Sequence, residues 1–573
     1  MRKCERMNDP RNHTKSHEEK ERVSSFRVVS CDFVDRQSLF FFRRTHVPSR
    51  KFIFALTALV IAVALLSNCR QRQSDLFIIA LADKIQTLDT LTAQAVDAGS
   101  ERLRQLLFNS LIRKNEKFEY VGELASNMDT SPDGLAITFT LHDGVTFHDG
   151  RPLTATDVKY TLETLLASTS AKAASFFEGT GTARQPYITG IEAPDPHTVI
   201  VRLRHPWQQL FVNLVPIGII PAGSIATQKD HPIGSGPFKF VKYDSAQQMV
   251  DLEANPNYWE GAPQIKTLRI RVIEDANALQ AELRSGTVQL APNATNLTPD
   301  AFGSLAENPK LKVEQFPGAN VVYLGFNTTT APLNDVRVRQ AIAYAIDRET
   351  IIHDLLLNQA RLAHSILPVE SWAYTQGQVY AYDPEKSKKL LDAAGFPDPD
   401  GDGPQMRFRQ PLVLKISTSA ATRQYAGVFQ DYLKRVGIPL EIQSLENATI
   451  TDQQIKGEYQ MMSRVAVGGN HDPIFLRDLF ATSGIPTEGR VGFNRTRYSN
   501  PQLDPILEEA VNTADREKAK ALYFRAQEIV SQDVPMFPLW YSNIMVVSQR
   551  NVGNIKVKGD GDWSFIRNLT IEK

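Results

Sequence analysis

The feature that most constrains this chain is an uncharged, almost entirely apolar run at residues 52–66, which follows basic residues and precedes Ser67, Asn68 and Cys69. At 1.5 Å per residue the run makes about 22 Å of helix, shorter than the hydrocarbon core of a bilayer at about 30 Å. A basic segment, a short apolar stretch and small residues after it are typical of a secretory signal. We therefore predict that the run directs export. A buried core helix is the alternative, which the flanking charges and the missing polar face disfavour.

The distribution of charge supports the same division. The 573 residues include 64 basic and 64 acidic side chains, but residues 1–70 carry 14 basic against 7 acidic ones. The remainder carries 50 and 57, so a mildly acidic body follows a basic head. With 42% hydrophobic and 22% charged residues, the composition is that of a globular protein. It excludes a disordered chain, a polytopic membrane protein and a uniformly basic nucleic-acid binder, so we expect no nucleic-acid partner.

The positions of the cysteines exclude several kinds of chemistry from the body of the chain. Cys4, Cys31 and Cys69 are the three cysteines of the chain, and none follows position 69. The exported body therefore has no disulfide, no catalytic thiol and no cysteine ligand for zinc. A body of this length buries enough apolar surface to fold without such crosslinks.

The residues around Cys69 also carry a resemblance. Leu66, Ser67, Asn68 and Cys69 resemble the lipobox of bacterial lipoproteins, although Asn68 stands where glycine or alanine is usual. The resemblance implies cleavage before Cys69 and lipidation of its thiol, with residues 46–68 as the signal peptide. Ordinary signal cleavage nearby and an uncleaved anchor are the alternatives. Residues 1–45 are highly charged and lack periodicity, so we expect a disordered extension or a start codon placed too early.

Hydrophobic patterns in the body alternate between helical and strand-like periods, which predicts a mixed α/β fold. The pattern favours helices over residues 98–112 and 335–352, and a helix capped by Thr154. Short apolar runs at residues 321–326 and 537–541 favour buried strands.

A series of short motifs then occurs in one order along the body. They lie at residues 123–125, 131–135, 138–141, 144–150, 152–158, 234–238, 255–259, 325–327, 335–341, 345–348, 382–384 and 498–501. Together they resemble family-5 extracytoplasmic solute-binding proteins, the peptide/nickel-binding group that serves ATP-binding-cassette (ABC) importers. The resemblance covers about residues 74–573. Taken singly, most of these motifs are explained by turns and helix caps.

The resemblance implies the two-lobed class II (type C) fold of periplasmic binding proteins, with a hinge and an extra inserted domain. The implied boundaries are residues 74–112, 222–318 and 534–573 for lobe I, 113–221 for the inserted domain, and 319–533 for lobe II.

The implied function is capture of a solute by lobe closure and its delivery to an ABC permease and ATPase complex. An oligopeptide or peptide-like compound is the first choice of solute; an oligosaccharide or a metal chelate is the alternative. The second hypothesis is that the protein is a ligand-binding sensor or scaffold of the cell envelope. Enzyme motifs are absent from the sequence, so we expect no catalysis and no cofactor. We expect a monomer in the periplasm or cell envelope, held to the membrane by its lipid.

Peptide-binding relatives carry a Trp-x-x-Asp stretch late in lobe II, whose aspartate holds the α-amino group of the peptide. In this chain Ala466 and Gly469 occupy those two positions. Asp472 is the nearest substitute, and its alternative role is that of a turn aspartate before Pro473. Gly468 and Gly469 could let a ligand approach the backbone or could form a bulge.

Four further residues are candidates for the ligand site. Asn470 belongs to the same segment, and Trp372 and Tyr374 lie between two helices of lobe II. The two aromatic rings could stack on a ligand or anchor a packed loop. Arg464 could meet a ligand carboxylate, although it is one residue out of step with a pocket arginine of the family.

Two other charged motifs are expected to be structural. Asp398, Asp400 and Asp402 are spaced like the start of a calcium loop, but arginine stands where that loop has its glutamate, so an acidic surface turn is favoured. Arg337 and Arg339 are expected to form structural ion pairs, and we predict no metal site.

The lipid anchor can be tested directly. Cys69→Ser removes the acceptor thiol, so the variant should move from the membrane into the soluble exported fraction or should stall before cleavage. Firm attachment requires more than one acyl chain, which the diacylglyceryl group of a lipoprotein supplies. Fractionation of wild type and variant measures the effect, and unchanged membrane partition of the variant would contradict lipidation.

Overall fold

The computed structural model describes the body of the chain. The described residues are 76–572 without 95–96, 179–183, 208, 402, 467–471, 489–491 and 514. The predicted signal peptide and Cys69 lie outside them. No helix among the described residues is long and apolar enough to cross a membrane. The described residues form a two-lobed α/β structure, in agreement with the predicted fold class.

Lobe I is built on a seven-stranded mixed sheet. Its central strand Leu76–Leu81 pairs in parallel with Thr267–Val272, and Ile79 lies opposite both Ile270 and Leu290. The strands, in spatial order, are Phe238–Asp244, Met249–Ala254, Thr267–Val272, Leu76–Leu81, Leu290–Pro292, Ile544–Gln549 and Leu311–Phe316. The helices of this lobe are Ala98–Leu107, Ile225–Gln228, Ala276–Ser285 and Pro299–Ala306, with a 3₁₀ turn at Ser564–Asn568. A strand pair, Val552–Gly553 with Thr570–Ile571, completes it.

A smaller antiparallel sheet packs against one face of lobe I. Its strands, in spatial order, are Ala125–Thr130, Ala136–Leu141, Thr198–Leu203 and Ile188–Asp195. The helices beside it are Ala155–Ala167, Ala171–Ala174 and Gln209–Leu214. Two hairpins join Ile112–Lys114 to Tyr120–Gly122 and Phe177–Glu178 to Gln185–Pro186. Phe139 and Val201 of this sheet are fully buried in the same core as Ile79 of lobe I, so the two sheets share one hydrophobic interior.

Lobe II is built on a six-stranded sheet covered by helices on both faces. The strands, in spatial order, are Ala360–Leu362, Met536–Ser542, Val321–Phe326, Met461–Ala466, Leu412–Ser417 and Leu440–Leu445. One core holds the helices Val336–Ala345, Pro384–Ala393 and Ala420–Arg435. The other holds Phe475–Phe480, Asp504–Asn512 and Arg516–Asp533. Shorter elements are Arg348–Thr350, a π turn at Ile351–Leu355, Asn447–Lys456 and a 3₁₀ turn at Thr482–Gly484.

The described chain passes between the two large sheets at two adjacent places, after Phe316 and after Ser542. The Ser542 amide donates to the Asn320 carbonyl over 2.9 Å, and a Cβ at Gly318 would lie 1.9 Å from the Ser542 carbonyl oxygen. Only glycine therefore allows the two crossing segments to touch. The strand Met536–Ser542 pairs with Val321–Phe326 in lobe II, whereas the sequence-based division had placed residues 534–573 in lobe I.

Two predicted helices are shorter than expected. The helix predicted over residues 335–352 ends at Ala345, and Asp347 then caps a new helix by accepting from the Thr350 amide over 3.0 Å. The break sets the buried guanidinium of Arg348 against the carbonyl oxygens of Ala363, Pro538 and Tyr380, at 2.5–2.8 Å. The hydrophobic pattern of residues 335–352 cannot show that Arg348 reaches these carbonyl oxygens.

The helix predicted over residues 98–112 ends at Leu107, because the turn at residues 234–237 closes over its last residue. The Gly236 amide donates to the Leu107 carbonyl over 2.9 Å. A Cβ at Gly234 would lie 2.1 Å from that carbonyl oxygen, so the glycines of the turn motif are required by this close approach.

The same turn holds the ring of His148. Its Nδ1 accepts from the Gly234 amide over 3.3 Å, and its Nε2 lies 3.1 Å from the Gly236 carbonyl oxygen, to which it donates. A neutral imidazole protonated on Nε2 satisfies both contacts, and burial lowers the pKa of His148 to about 4.

The lowered pKa of His148 predicts that the folded protein loses stability in mild acid. A histidine whose folded-state pKa lies below its usual 6.5 contributes stability that is complete above that value and is lost as pH falls toward 4. Between pH 7 and pH 5 the loss is about 2 kcal/mol. Urea unfolding at both pH values should show a smaller pH effect for His148→Gln than for wild type. His353→Gln, at a side chain 74% exposed, is the control. Equal pH effects in all three proteins would contradict the assignment.

Candidate functional site

A cavity of about 340 Å³ lies between the two lobes. One wall comes from the first half of the chain and consists of Phe118, Glu119, Tyr120, Met128, Thr130 and Phe211. The opposite wall comes from lobe II and consists of Trp372, Asp472, Ile474, Ala510, Val511, Thr513, Arg516, Ala519 and Tyr523. A change in the angle between the lobes therefore opens or closes this cavity.

The first wall is positioned by the hairpin of Ile112–Lys114 and Tyr120–Gly122. The Asn115 side-chain oxygen accepts from the backbone amides of Lys117 and Glu119, at 2.9 and 3.0 Å, and fixes the loop. The ring of Tyr120 then stacks on Phe211, with centroids 5.8 Å apart and planes 26° apart.

The second wall depends on one face of the helix Arg516–Asp533. Asp515 caps this helix, and Arg516, Ala519 and Tyr523 follow at the spacing that places side chains on one helical face. The ring of Tyr523 meets Trp372 edge to face, with centroids 5.9 Å apart. The guanidinium of Arg516 lies 5.1 Å from the centroid of Trp372, in cation–π geometry.

Asp472 has partners on both sides of the cavity. Its Oδ1 accepts from the Ile474 amide over 3.0 Å, and its carbonyl accepts from the Phe475 amide, so it is a turn aspartate at the start of a helix. Its Oδ2 accepts a short hydrogen bond from the hydroxyl of Tyr120 on the opposite wall. One carboxylate thus shapes a turn in lobe II and links the two walls.

The surroundings of this link are strongly polarised. Burial, together with the nearby carboxylate of Asp472, raises the pKa of Tyr120 well above its ordinary value. Lys114 is 9% exposed, and burial lowers its pKa while the carboxylates of Asp472 and Asp560 oppose the shift. The ammonium of Lys114 lies 5.5 Å from the ring centroid of Tyr120. Asp472 therefore has a hydroxyl donor and a positive field, both supplied by the protein.

A second link joins the walls at the edge of the cavity. Arg516 donates to the Glu119 carboxylate over 2.5 Å, and the side-chain amide of Asn115 donates to the same carboxylate over 2.8 Å. These hydrogen bonds, first that of Asn115 and then that of Arg516, lower the pKa of Glu119.

The structure brings together two of the predicted site residues, Trp372 and Asp472. Tyr374 lies outside the cavity lining, in a turn where its amide donates to Ser371. Arg464 donates to the side chains of Asn447 and Thr451, at 2.9 and 3.2 Å, and so holds a helix of lobe II against the sheet. The remaining candidates, Gly468, Gly469 and Asn470, lie outside the described residues.

The acidic turn and the two arginines have structural partners. Asp398 accepts from the amides of Asp400 and Gly401, and its carboxylate also lies 3.6 Å from Arg407. Among the described residues no cluster of three or more His, Cys, Asp or Glu side chains could hold a metal ion. Arg337 pairs with Asp335, as predicted. Arg339 is structural in another way, since it donates to backbone carbonyls, including that of Asp533, instead of to a carboxylate.

Sequence reasoning missed Tyr120, Phe211, Arg516 and Tyr523. The helical spacing of Arg516 and Tyr523 was readable, but nothing in it showed which face turns toward the other lobe. Tyr120 and Asp472 are 352 positions apart, so only the tertiary fold brings them together.

The two links predict a measurable effect on closure. Glu119→Gln removes the charge of one link and Tyr120→Phe removes the hydroxyl of the other, so the closed arrangement should lose about 2–3 kcal/mol relative to an open one. The radius of gyration of the solute-free protein, measured by small-angle X-ray scattering, should increase. Glu192→Gln is the matched control, because it breaks a 2.5 Å ion pair with Arg202 inside one sheet. Identical scattering from the double variant and wild type would contradict a closing role.

Comparison with known proteins agrees with this architecture. The family model described as bacterial extracellular solute-binding proteins, family 5, matches residues 119–487. The heme-binding protein A of Haemophilus influenzae is 29% identical over 469 residues, which cover 76% of this chain and 82% of that protein. The oligopeptide-binding protein AppA of Bacillus subtilis is 26% identical over 480 residues, with coverage of 81% and 86%.

Solved structures show the same fold. The substrate-binding protein CtaP of an ABC transporter from Listeria monocytogenes superposes with a TM-score of 0.76 at 23% identity, covering 87% of this chain and 99% of that one. AppA in complex with a nonapeptide gives a TM-score of 0.67 at 25% identity, with coverage of 87% and 99%. Since the family model spans well over half of the sequence and its fold is reproduced, the chain belongs to family 5 of the bacterial extracellular solute-binding proteins.

Proposed function

We propose that this protein captures its solute in the cavity between the lobes and delivers it to the permease and ATPase complex of an ABC importer. The observation that carries the proposal is the cavity itself, whose two walls belong to different lobes and touch through Tyr120 and Asp472. A solute held there contacts both lobes only when they close, so binding and closure are coupled.

A peptide or a peptide-like compound is the proposed solute. AppA, which resembles this chain along most of its length, was solved with a nonapeptide. The cavity, at about 340 Å³, is at the lower end of ligand pockets, so it holds one or two large side chains of a solute. A non-peptide solute is the second candidate, because Ala466 and Gly469 replace the residues that anchor an amino terminus in peptide-binding relatives.

The proposed contacts are made by residues of both walls. Trp372 and Tyr523 offer ring faces and edges, and Arg516 offers a guanidinium at the rim of the cavity. Gly468, Gly469 and Asn470 remain predicted contacts, since they follow the strand Met461–Ala466 and precede Asp472 in the chain. We assign no catalytic residue, because the family binds solutes and this site pairs its charges with one another.

We also propose export by the signal peptide at residues 46–68 and attachment by lipid on Cys69. The basic residues before the apolar run and the lipobox-like residues after it support this proposal. The protein would then act as a monomer at the outer side of the membrane, beside the importer. A sensor or scaffold of the cell envelope remains the alternative, which a cognate permease and ATPase encoded in the same operon would disfavour.

Native mass spectrometry of gently purified protein tests the proposal. Wild type should retain a solute of defined mass, and Trp372→Ala should bind that solute at least tenfold more weakly, because a large aromatic contact is lost. Tyr382→Ala, at an exposed tyrosine outside the cavity, is the control. The proposed site would be contradicted if wild type neither retained nor rebound a solute. It would also be contradicted if both variants lost the same amount of affinity for that solute. Conversion of the solute during incubation would contradict a purely binding role.

A further inference from the structure

Aromatic rings from both sides line the cavity. Tyr120 and Phe211 form a stacked pair on one wall, and Trp372 and Tyr523 form an edge-to-face pair on the other. Rings offer flat, apolar surfaces that are ordered at little conformational cost and favour a planar partner. Rings on both walls therefore suit a flat group better than a branched aliphatic one.

The ionised groups among the described lining residues are already paired. Glu119 and Arg516 neutralise each other at 2.5 Å. Asp472 uses one oxygen for the Ile474 amide and the other for the Tyr120 hydroxyl. No ionised side chain among the described lining residues is left without a protein partner.

Lys114 acts against a cationic ligand in particular. Its buried ammonium lies beside the ring of Tyr120 and interacts with the carboxylate of Asp472. A ligand ammonium that approached Asp472 would have to share the carboxylate with the Tyr120 hydroxyl and would stand near a second positive charge, that of Lys114. Like charges in a site of low dielectric repel each other strongly, so this position disfavours an amine.

We propose that the part of the solute that enters this cavity is a neutral, planar aromatic group and not a cationic amine. The inference rests on the proposed function, namely that the cavity is the solute site. The ring could be the side chain of a peptide or part of a free ring compound, and both sources present the same chemistry to the cavity. Tyr120 then contributes to specificity, because its hydroxyl already donates to the carboxylate that would otherwise attract an amine.

Three small-molecule probes distinguish the effects of an aromatic ring, a positive charge and apolar size on binding. N-acetyl-tryptophanamide is neutral and planar, N-acetyl-leucinamide is neutral and branched, and tryptamine is planar and cationic. Calorimetry on solute-stripped protein should show that N-acetyl-tryptophanamide binds at least tenfold more tightly than either of the others. Trp372→Ala should abolish that difference, and the exposed-site variant Tyr382→Ala should keep it.

Tyr120→Phe gives the sharpest result. It keeps the ring and removes only the hydroxyl that donates to Asp472, so tryptamine should gain about tenfold relative to N-acetyl-tryptophanamide. Circular dichroism of the variant shows whether it folds. If Tyr120→Phe does not fold, Lys114→Met can be used in its place. Loss of the repelling ammonium should also increase the affinity for tryptamine relative to N-acetyl-tryptophanamide.

Three results would overturn the inference. They are tryptamine binding as tightly as N-acetyl-tryptophanamide in wild type, N-acetyl-leucinamide binding as tightly, and none of the probes binding at millimolar concentration. A solute without a ring, retained in native mass spectrometry, would leave the proposed function intact and overturn only the inference. N-acetyl-Gly-Trp-Gly-amide binding more tightly than N-acetyl-tryptophanamide would identify the ring as a peptide side chain, and the reverse order would indicate a free ring compound.

Discussion

The two adjacent crossings between the large sheets are the constraint on which the rest of the molecule depends. At Gly318 the backbone of one crossing touches the Ser542 carbonyl of the other, so no side chain fits between them. Because these crossings are short and neighbouring, the lobes can change their relative angle without breaking either sheet. The walls of the cavity belong to different lobes, so the same angle sets the shape of the cavity.

Asp472 shapes a turn of lobe II and also lines the cavity. Its carboxylate caps a turn through the Ile474 amide and meets Tyr120 across the cavity. A charge with two protein partners, in the field of Lys114, is stable in a closed cavity without a ligand cation.

Local chemistry made much of the fold predictable. Thr154 caps a helix as predicted, with Asp157 completing a capping box, and the strand predicted at residues 321–326 is Val321–Phe326. The failures share a cause, which is contact between distant parts of the chain. Arg348 breaks a helix to reach carbonyls up to 190 positions away, and Tyr120 finds its partner only in the folded state. Trp372 and Asp472, which were candidates from the sequence, lie in the cavity lining, whereas the opposite wall carried no local signal.

The central claim is that solute binding closes the lobes over this cavity. No cysteine follows position 69, so spin labels at Ser126→Cys and Glu517→Cys can report the distance between the small sheet and lobe II. Both sites are exposed and lie near opposite walls of the cavity. Pulsed electron paramagnetic resonance should give a broad distribution of longer distances for the solute-stripped protein. After the copurified solute is added, it should give one short distance. A distribution that stays the same while the solute binds would contradict the claim.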